Sequence, residues 1–222
     1  DPAYDSYHPA VRLNGGVPVH INLDGVNFSI DWDVVRSRIT PRTKMIIINT
    51  PHNPSGAVLL EKDLKELEKI ANESDLLVLS DEVYERLIFD GIRHESVLRY
   101  HGLADRCLAV FSFGKTFHAT GWHYLSLGKF YQQKRDFFLT QIKGSSFEPM
   151  ACHGSYFQVL SYRHITDKPD VAMAEELTKK FKVASIPFSV FYQDKSDNRL
   201  LRFCFAKKEE TLEKACAILR SL

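Results

Sequence analysis

Short, unbroken apolar runs alternate with amphipathic stretches in the first half of the chain. Lys44–Asn49 (KMIIIN), Leu76–Leu79 (LLVL) and Cys107–Phe111 (CLAVF) are too short for helices and rich in branched residues, so each predicts a buried strand. Between the first two, Leu60–Asn72 places Leu60, Leu64, Leu67 and Ala71 on one face, with charged residues mostly opposite, and predicts a helix. Asp31–Ile39 predicts a shorter helix, with Asp31 as its cap and Pro41 beyond its end. Val19–Leu23 (VHINL) alternates and predicts a strand. Strand, helix, strand, then loop and strand is the order of a parallel sheet covered on both faces.

The second half reads differently. Tyr124–Ile142 predicts a helix, with Phe130, Phe137, Phe138 and Ile142 as core candidates. Phe147–Ala151 and Ser155–Leu160 predict strands around a turn at His153-Gly154. Pro169–Phe181 predicts a helix with Pro169 in its first turn, Lys182–Ile186 and Leu200–Phe205 predict strands, and Glu209–Leu222 predicts a last helix carrying Leu212, Ala215 and Leu219 on one face. The expected fold class is α/β: a mainly parallel sheet in residues 1–122, followed by an inter-domain helix and a smaller α+β domain in 123–222.

Composition narrows the function classes. The 222 residues carry a formal net charge of +1, which gives no electrostatic case for nucleic acid or an anionic membrane. No apolar run is long enough to cross a bilayer, and the first residues lack the pattern of a signal peptide, so a cytoplasmic protein is expected. The four cysteines form no C-x-x-C pair and read as free thiols. The histidines are scattered, and no metal site is expected.

All three predicted strands of the first half end in polar clusters. These are Asn49-Thr50-Pro51-His52-Asn53-Pro54-Ser55-Gly56, Ser80-Asp81-Glu82-Val83-Tyr84, and Ser112-Phe113-Gly114-Lys115. A lone lysine at a strand end is usually a solvated loop residue. Three clusters on the carboxyl edge of one sheet make a site, because that edge is where open α/β sheets bind ligands. An amine, a carboxylate and a phenol have a natural joint use there. The amine forms a Schiff base with an aldehyde, the carboxylate holds a protonated pyridine nitrogen, and the phenol and an amide donate to a ring oxygen. That is the chemistry of a pyridoxal phosphate site.

The ordered set N-x-P-H-N-P-S-G, S-D-E-V-Y and S-F-G-K-T-F-x-x-T-G-W, with R-F-C-F at Arg202–Phe205, resembles the class I and II aminotransferases of the aspartate aminotransferase fold, fold type I. Within them it is most similar to the branch of methionine and kynurenine (glutamine) aminotransferases. The resemblance implies a pyridoxal 5'-phosphate enzyme that exchanges an amino group between an amino acid and a 2-oxo acid by a ping-pong mechanism, as a homodimer. It implies Lys115 as the covalent anchor and the base that moves the α-proton, and Asp81 as partner of the pyridine nitrogen. It implies Tyr84 and Asn53 as donors to the ring oxygen, Ser112 as a phosphate ligand, and Tyr4 as the aromatic stacked on the ring. Arg202, assisted by Asn53, would take the substrate α-carboxylate. Methionine, glutamine or an aromatic amino acid is the expected substrate, with Tyr4, Tyr7 and Phe188–Phe191 as candidate pocket residues.

The chain departs from the family pattern after Gly121-Trp122. The cation that binds the cofactor phosphate there, and the strand that follows, have no counterpart, and His123 is not assigned to that role. The Gly-rich turn and arm that precede P-A-Y-D-S-Y in the family are also missing. The sequence is therefore expected to join pieces of a longer protein. Two other functions compete with transamination: a pyridoxal-phosphate C–S β-lyase on the same scaffold, and a non-catalytic aminotransferase-like binding domain.

Overall fold

The computed structural model describes residues 1–116 and 127–222. In chain order the elements are α1 (Tyr7–Leu13), α2 (Trp32–Arg38), β1 (Met45–Asn49), α3 (Glu61–Glu73), β2 (Leu77–Asp81), a 3-10 turn at Val97–Arg99, α4 (His101–Ala104), β3 (Cys107–Val110) and α5 (Phe113–Thr116). There follow α6 (Leu127–Ile142), β4 (Glu148–Pro149), β5 (Phe157–Ser161), α7 (Asp170–Lys179), β6 (Ile186–Pro187), a second 3-10 turn at Phe188–Phe191, β7 (Leu200–Cys204) and α8 (Glu209–Arg220).

β1, β2 and β3 pair side by side and parallel, as their apolar runs predict. Ile48, Ser80 and Ala109 lie in register on one face, next to Ile46, Val78 and Cys107. Against this face pack Leu64, Leu67 and Ala71 of α3, with Val97, Tyr100 and Leu103. On the other face Met45, Leu77, Leu108 and Val110 remain exposed, Leu108 by 62%. Coverage of both faces is thus met on one side only among the described residues.

Glu82 fastens the end of β2. Its N–H reaches Val110 O at 2.9 Å, one step beyond the strand. Its fully buried carboxylate accepts from Ser80 Oγ (2.9 Å), the Val97 N–H (3.1 Å) and His94 Nε2 (2.8 Å). Burial opposes ionisation, but the bonds from His94, Ser96, Val97 and Ser80 outweigh it and hold this carboxyl below its usual range.

The second sheet is antiparallel, in the order β4-β5-β7-β6. Its core joins Leu160, Leu201 and Phe203 to Phe138 and Ile142 of α6, Leu177 of α7, and Leu212, Cys216 and Leu219 of α8. Tyr84, Leu87 and Phe89, from the segment after β2, belong to the same core. Arg135 of α6 pins that segment, with Nη1 to Asp90 Oδ2 at 2.7 Å and to the Cys152 carbonyl at 2.9 Å, and Nη2 to Asp90 Oδ1 at 2.6 Å.

Several expectations fail locally. Val19–Leu23 forms no strand. Among the described residues its backbone bonds only Asp1, through the Asp1 amine to Ile21 O and Leu23 N to Asp1 O, too few bonds for a ladder. Lys182–Ile186 is not a strand either: Lys182 turns the chain at φ 61°, and pairing begins at Ile186. Phe147–Ala151 shrinks to Glu148–Pro149. Leu60 precedes α3 and is 41% exposed; its N–H is bonded by Asp63 at 2.9 Å. Phe130 is 41% exposed rather than core. α1 gives no periodic signal because none of its residues is buried. The start of the Tyr124–Ile142 helix, the T-G-W end of the third motif and the 122/123 boundary lie outside the described residues. All four cysteines are free, with Cys152 and Cys216 buried and Cys204 exposed.

Replacing Glu82 by alanine would strand the His94, Ser80 and Val97 donors in the interior. Glu82→Ala should lower the unfolding free energy by about 3 kcal/mol in urea titration at neutral pH. A loss below about 1 kcal/mol would show that water replaces the carboxylate.

Candidate active site

Parallel pairing sets Asn49 opposite Asp81, and Asp81 opposite Val110. The three strands therefore finish level, and the three polar clusters leave from one edge. Asn49 ties the first two together: Nδ2 donates to Asp81 O at 2.8 Å, and Oδ1 accepts from the Asn53 N–H at 2.6 Å. Gly56 closes the first loop with φ 79°. A Cβ there would meet Cys152 Sγ and Gly154 O, each at 2.9 Å, so only glycine lets this loop seat against the 152–154 turn.

The Asp81 carboxylate accepts from the Tyr7 hydroxyl and, at 3.2 Å, from the Val83 N–H. Among the described residues no cation pairs with it. Burial, and then the bond to Asp81, push the Tyr7 phenol far above its ordinary value, so Tyr7 is a neutral donor. Tyr4 meets Tyr7 edge-on, with ring centroids 5.5 Å apart, and is 39% exposed. It sits one ring away from Asp81.

Lys115 rises from α5, just past β3. Ser112 starts this turn: its carbonyl (3.0 Å) and Oγ (3.3 Å) both accept from the Lys115 N–H. The Lys115 amine donates to Tyr156 Oη at 3.1 Å and stands 5.0 Å and 5.6 Å from the ring centroids of Tyr156 and Tyr84. Tyr84 is buried, with its hydroxyl 3.4 Å from that of Tyr156. Burial, then Tyr156, raise the Tyr84 phenol well above its usual range.

Arg202, on β7, reaches across from the second sheet. Nη1 donates to Asn53 Oδ1 at 2.6 Å, and the guanidinium lies 4.5 Å and 4.7 Å from the ring centroids of Phe157 and Phe191. Its charge is only partly solvated, and burial lowers its pKa from the ordinary value. Among the described residues no carboxylate forms an ion pair with it.

The structure thus brings Asp81, Tyr84, Asn53, Lys115 and Arg202 into one neighbourhood. Ser112 joins through the Lys115 backbone and Tyr4 stands at the margin. Sequence reasoning missed Tyr156 and the structural use of Asn49, and saw Tyr7 only as a pocket candidate. Asn49 carried a signal, as the first residue of a motif. Tyr156 carried none, because an aromatic at a strand start reads as core.

Comparison with known proteins identifies the family. The profile of the family described as aminotransferase class I and II matches residues 1–124. The chain belongs to that family. The methionine aminotransferase of Escherichia coli is 36% identical, over all of this chain and 69% of its own length. Kynurenine–oxoglutarate transaminase 3 of Rattus norvegicus is 30% identical over 99% of the chain and 64% of its own length. A solved E. coli structure with a methionine aminotransferase function superposes at a TM-score of 0.95, covering 100% of this chain and 69% of that one. N-succinyldiaminopimelate aminotransferase of Mycobacterium tuberculosis gives 0.91 at 32% identity, with 100% and 70% covered. The fold is that of the fold type I aminotransferases, the reaction is amino-group exchange between an amino acid and a 2-oxo acid, and the cofactor is pyridoxal phosphate. The lyase and non-catalytic readings gain nothing from these relatives. The E. coli alignment runs over 265 positions against 222 residues, so that relative carries residues with no counterpart here.

The donor set fits this cofactor. Among the described residues the site holds a carboxylate with no paired cation, an amine with no paired carboxylate, buried and half-buried phenols, and an amide. The position after Gly121-Trp122 where the family pattern has a phosphate-binding cation is taken by His123, which lies outside the described residues.

His52 gives the site loop a pH sensitivity. Nδ1 is 2.6 Å from Ser55 Oγ, and the ring is also bonded to the Pro2 backbone. Burial, then the nearby amino terminus, depress it from 6.5 to about 3. The unfolded chain therefore binds this proton first as pH falls below 6.5, and stability drops toward about pH 3. Between pH 6.5 and 5 the loss should be roughly 2 kcal/mol. Denaturant titrations should show a flatter slope over that window in His52→Gln, and an unchanged slope would refute the assignment.

Proposed function

We propose that Lys115 is the catalytic residue of the transamination and that Asp81, Tyr84, Asn53, Ser112 and Tyr4 hold the cofactor. When bound, pyridoxal phosphate supplies the aldehyde that takes up the amino group and the electron-poor ring that accepts the electron pair of the α-carbon. The Lys115 amine takes the proton from the substrate α-carbon and returns it on the cofactor side. Asp81 would pair its carboxylate with the ring nitrogen, where an anion favours the protonated ring. Tyr84 and Asn53 would donate to the ring oxygen, Ser112 would hold the phosphate, and Tyr4 would cover the ring.

The single observation that carries this reading is Arg202. It presses a guanidinium against two aromatic faces, fixed by Asn53 and with no carboxylate partner among the described residues. A half-buried charge in that state is costly unless an anion arrives. The α-carboxylate common to all amino acids is such an anion, and a guanidinium takes it with two parallel bonds.

Methionine or an aromatic amino acid is the proposed substrate, on the strength of the methionine and kynurenine relatives and the aromatic surroundings of Arg202. The division at residues 122/123, a homodimeric assembly and a cytoplasmic setting complete the reading.

Lys115→Ala should remove the visible absorbance of covalently held pyridoxal phosphate while leaving circular dichroism unchanged. Borohydride reduction and peptide mapping of the parent should place the cofactor on Lys115; label on another lysine would sink the assignment.

Arg202→Lys should keep the fold and the cofactor yet bind every amino acid more weakly in half-reaction kinetics. Arg202→Ala should lose about 2–5 kcal/mol of amino-acid binding. A lower melting temperature with parent-like affinity would make Arg202 a structural residue instead.

A further inference from the structure

Among the described residues the partner of the Lys115 amine is not a carboxylate. It is the Tyr156 hydroxyl at 3.1 Å, inside a corner formed by the rings of Tyr156 and Tyr84, which meet at 82° with centroids 5.5 Å apart. The amine faces both rings, at 5.0 Å and 5.6 Å. The Tyr156 ring is itself fixed on three sides, by Tyr84, by Phe157 at 5.3 Å and by Tyr131 at 6.3 Å. Its oxygen therefore has a defined place, and the second group it touches is the Tyr84 hydroxyl at 3.4 Å.

This arrangement suits an amine that must let go. A carboxylate would hold an ammonium by a full ion pair as well as a hydrogen bond. A phenol oxygen and two π faces stabilise the cation more weakly, through one hydrogen bond and the ring quadrupoles. They also keep its direction. Tyr156 is followed in the chain by Phe157, whose ring carries the Arg202 guanidinium at 4.5 Å. Two consecutive residues at the start of β5 thus hold the two cations of the site.

We propose that Tyr156 is a positioning residue of the transamination, the resting partner of Lys115 whenever its amine is free. The inference rests on the assignment of Lys115 above. In the proton transfer the Cα–H bond breaks, an Nζ–H bond forms, and the electron pair stays with the substrate carbon. The ammonium so made is met by Tyr156 Oη and the two rings. Without that oxygen the amine spends less time aimed at the α-carbon.

The test uses Tyr156→Phe, which removes one oxygen and keeps the ring. Circular dichroism and pyridoxal phosphate affinity should match the parent. With methionine deuterated at the α-carbon, the half-reaction should slow by about tenfold, with a larger isotope effect and an unchanged half-saturation concentration. In the cofactor-free chain, trace acetylation with acetic anhydride and peptide mapping should find Lys115 modified about two- to tenfold faster, because its hydrogen-bond acceptor is gone. Tyr156→Leu, which also removes a π face, should exceed Tyr156→Phe in both readouts. Parent-like rate, isotope effect and acetylation in Tyr156→Phe overturn the inference. Borohydride label on a lysine other than Lys115 overturns the assignment beneath it; label on Lys115 with parent-like kinetics overturns the role of Tyr156 alone.

Discussion

Parallel, in-register pairing of β1, β2 and β3 is the constraint on which the site depends. With Asn49, Asp81 and Val110 level, the three connecting segments start from one line. Side chains alternate along β2, so Asp81 turns toward the site while Ser80 and Glu82 turn into the covered face. That alternation separates two acidic neighbours into different jobs. Asp81 keeps a carboxylate bonded only to a phenol and a backbone N–H, whereas Glu82 spends its carboxylate on His94, Ser80 and Val97. His94 Nδ1 has no hydrogen-bond partner among the described residues. The cluster beneath Asp81 fixes the backbone from which Asp81 is aimed.

Charge explains why these groups belong together. Lys115 and Arg202 both lie against aromatic faces, and neither has an acidic partner among the described residues. Nor has Asp81 a basic partner among the described residues. In a folded chain such groups would ordinarily pair with each other. Their separation by phenols and an amide leaves a dipolar site that gains on taking up a ligand with a positive ring nitrogen and a carboxylate.

Periodicity made the scaffold legible. β1, β2 and β3 read as strands because their branched apolar residues have no helical spacing, and α3 and α8 because theirs do. The candidate site was legible through ordered motifs at strand ends, which brought Asn53, Asp81, Tyr84, Ser112 and Lys115 to one edge before any geometry was known. Periodicity failed where burial did not follow it. Val19–Leu23 alternates, yet only Asp1 is near enough to bond its backbone. α1 folds with no fully buried side chain and still supplies the half-buried Tyr7, the donor on Asp81. Tyr156 was invisible for a related reason. Its packing rings and its hydroxyl serve different ends, and a sequence shows the first and not the second.

The exposed sheet face bears on the precision of the site. Leu108 and Val110 of β3 stand open among the described residues, on the strand that leads into Lys115. Parallel sheets are ordinarily covered on both faces, and the E. coli relative carries aligned positions that this chain lacks. Among the described residues, polar and aromatic contacts place Lys115: Ser112 closing the α5 turn, and Tyr156 and Tyr84 receiving the amine. The Tyr156 and Tyr84 contacts come from the second sheet and from the core it shares with the segment after β2. Joining of the two halves, through Tyr84 and Arg202, is thus what sets the distance between the Lys115 amine and the Arg202 guanidinium.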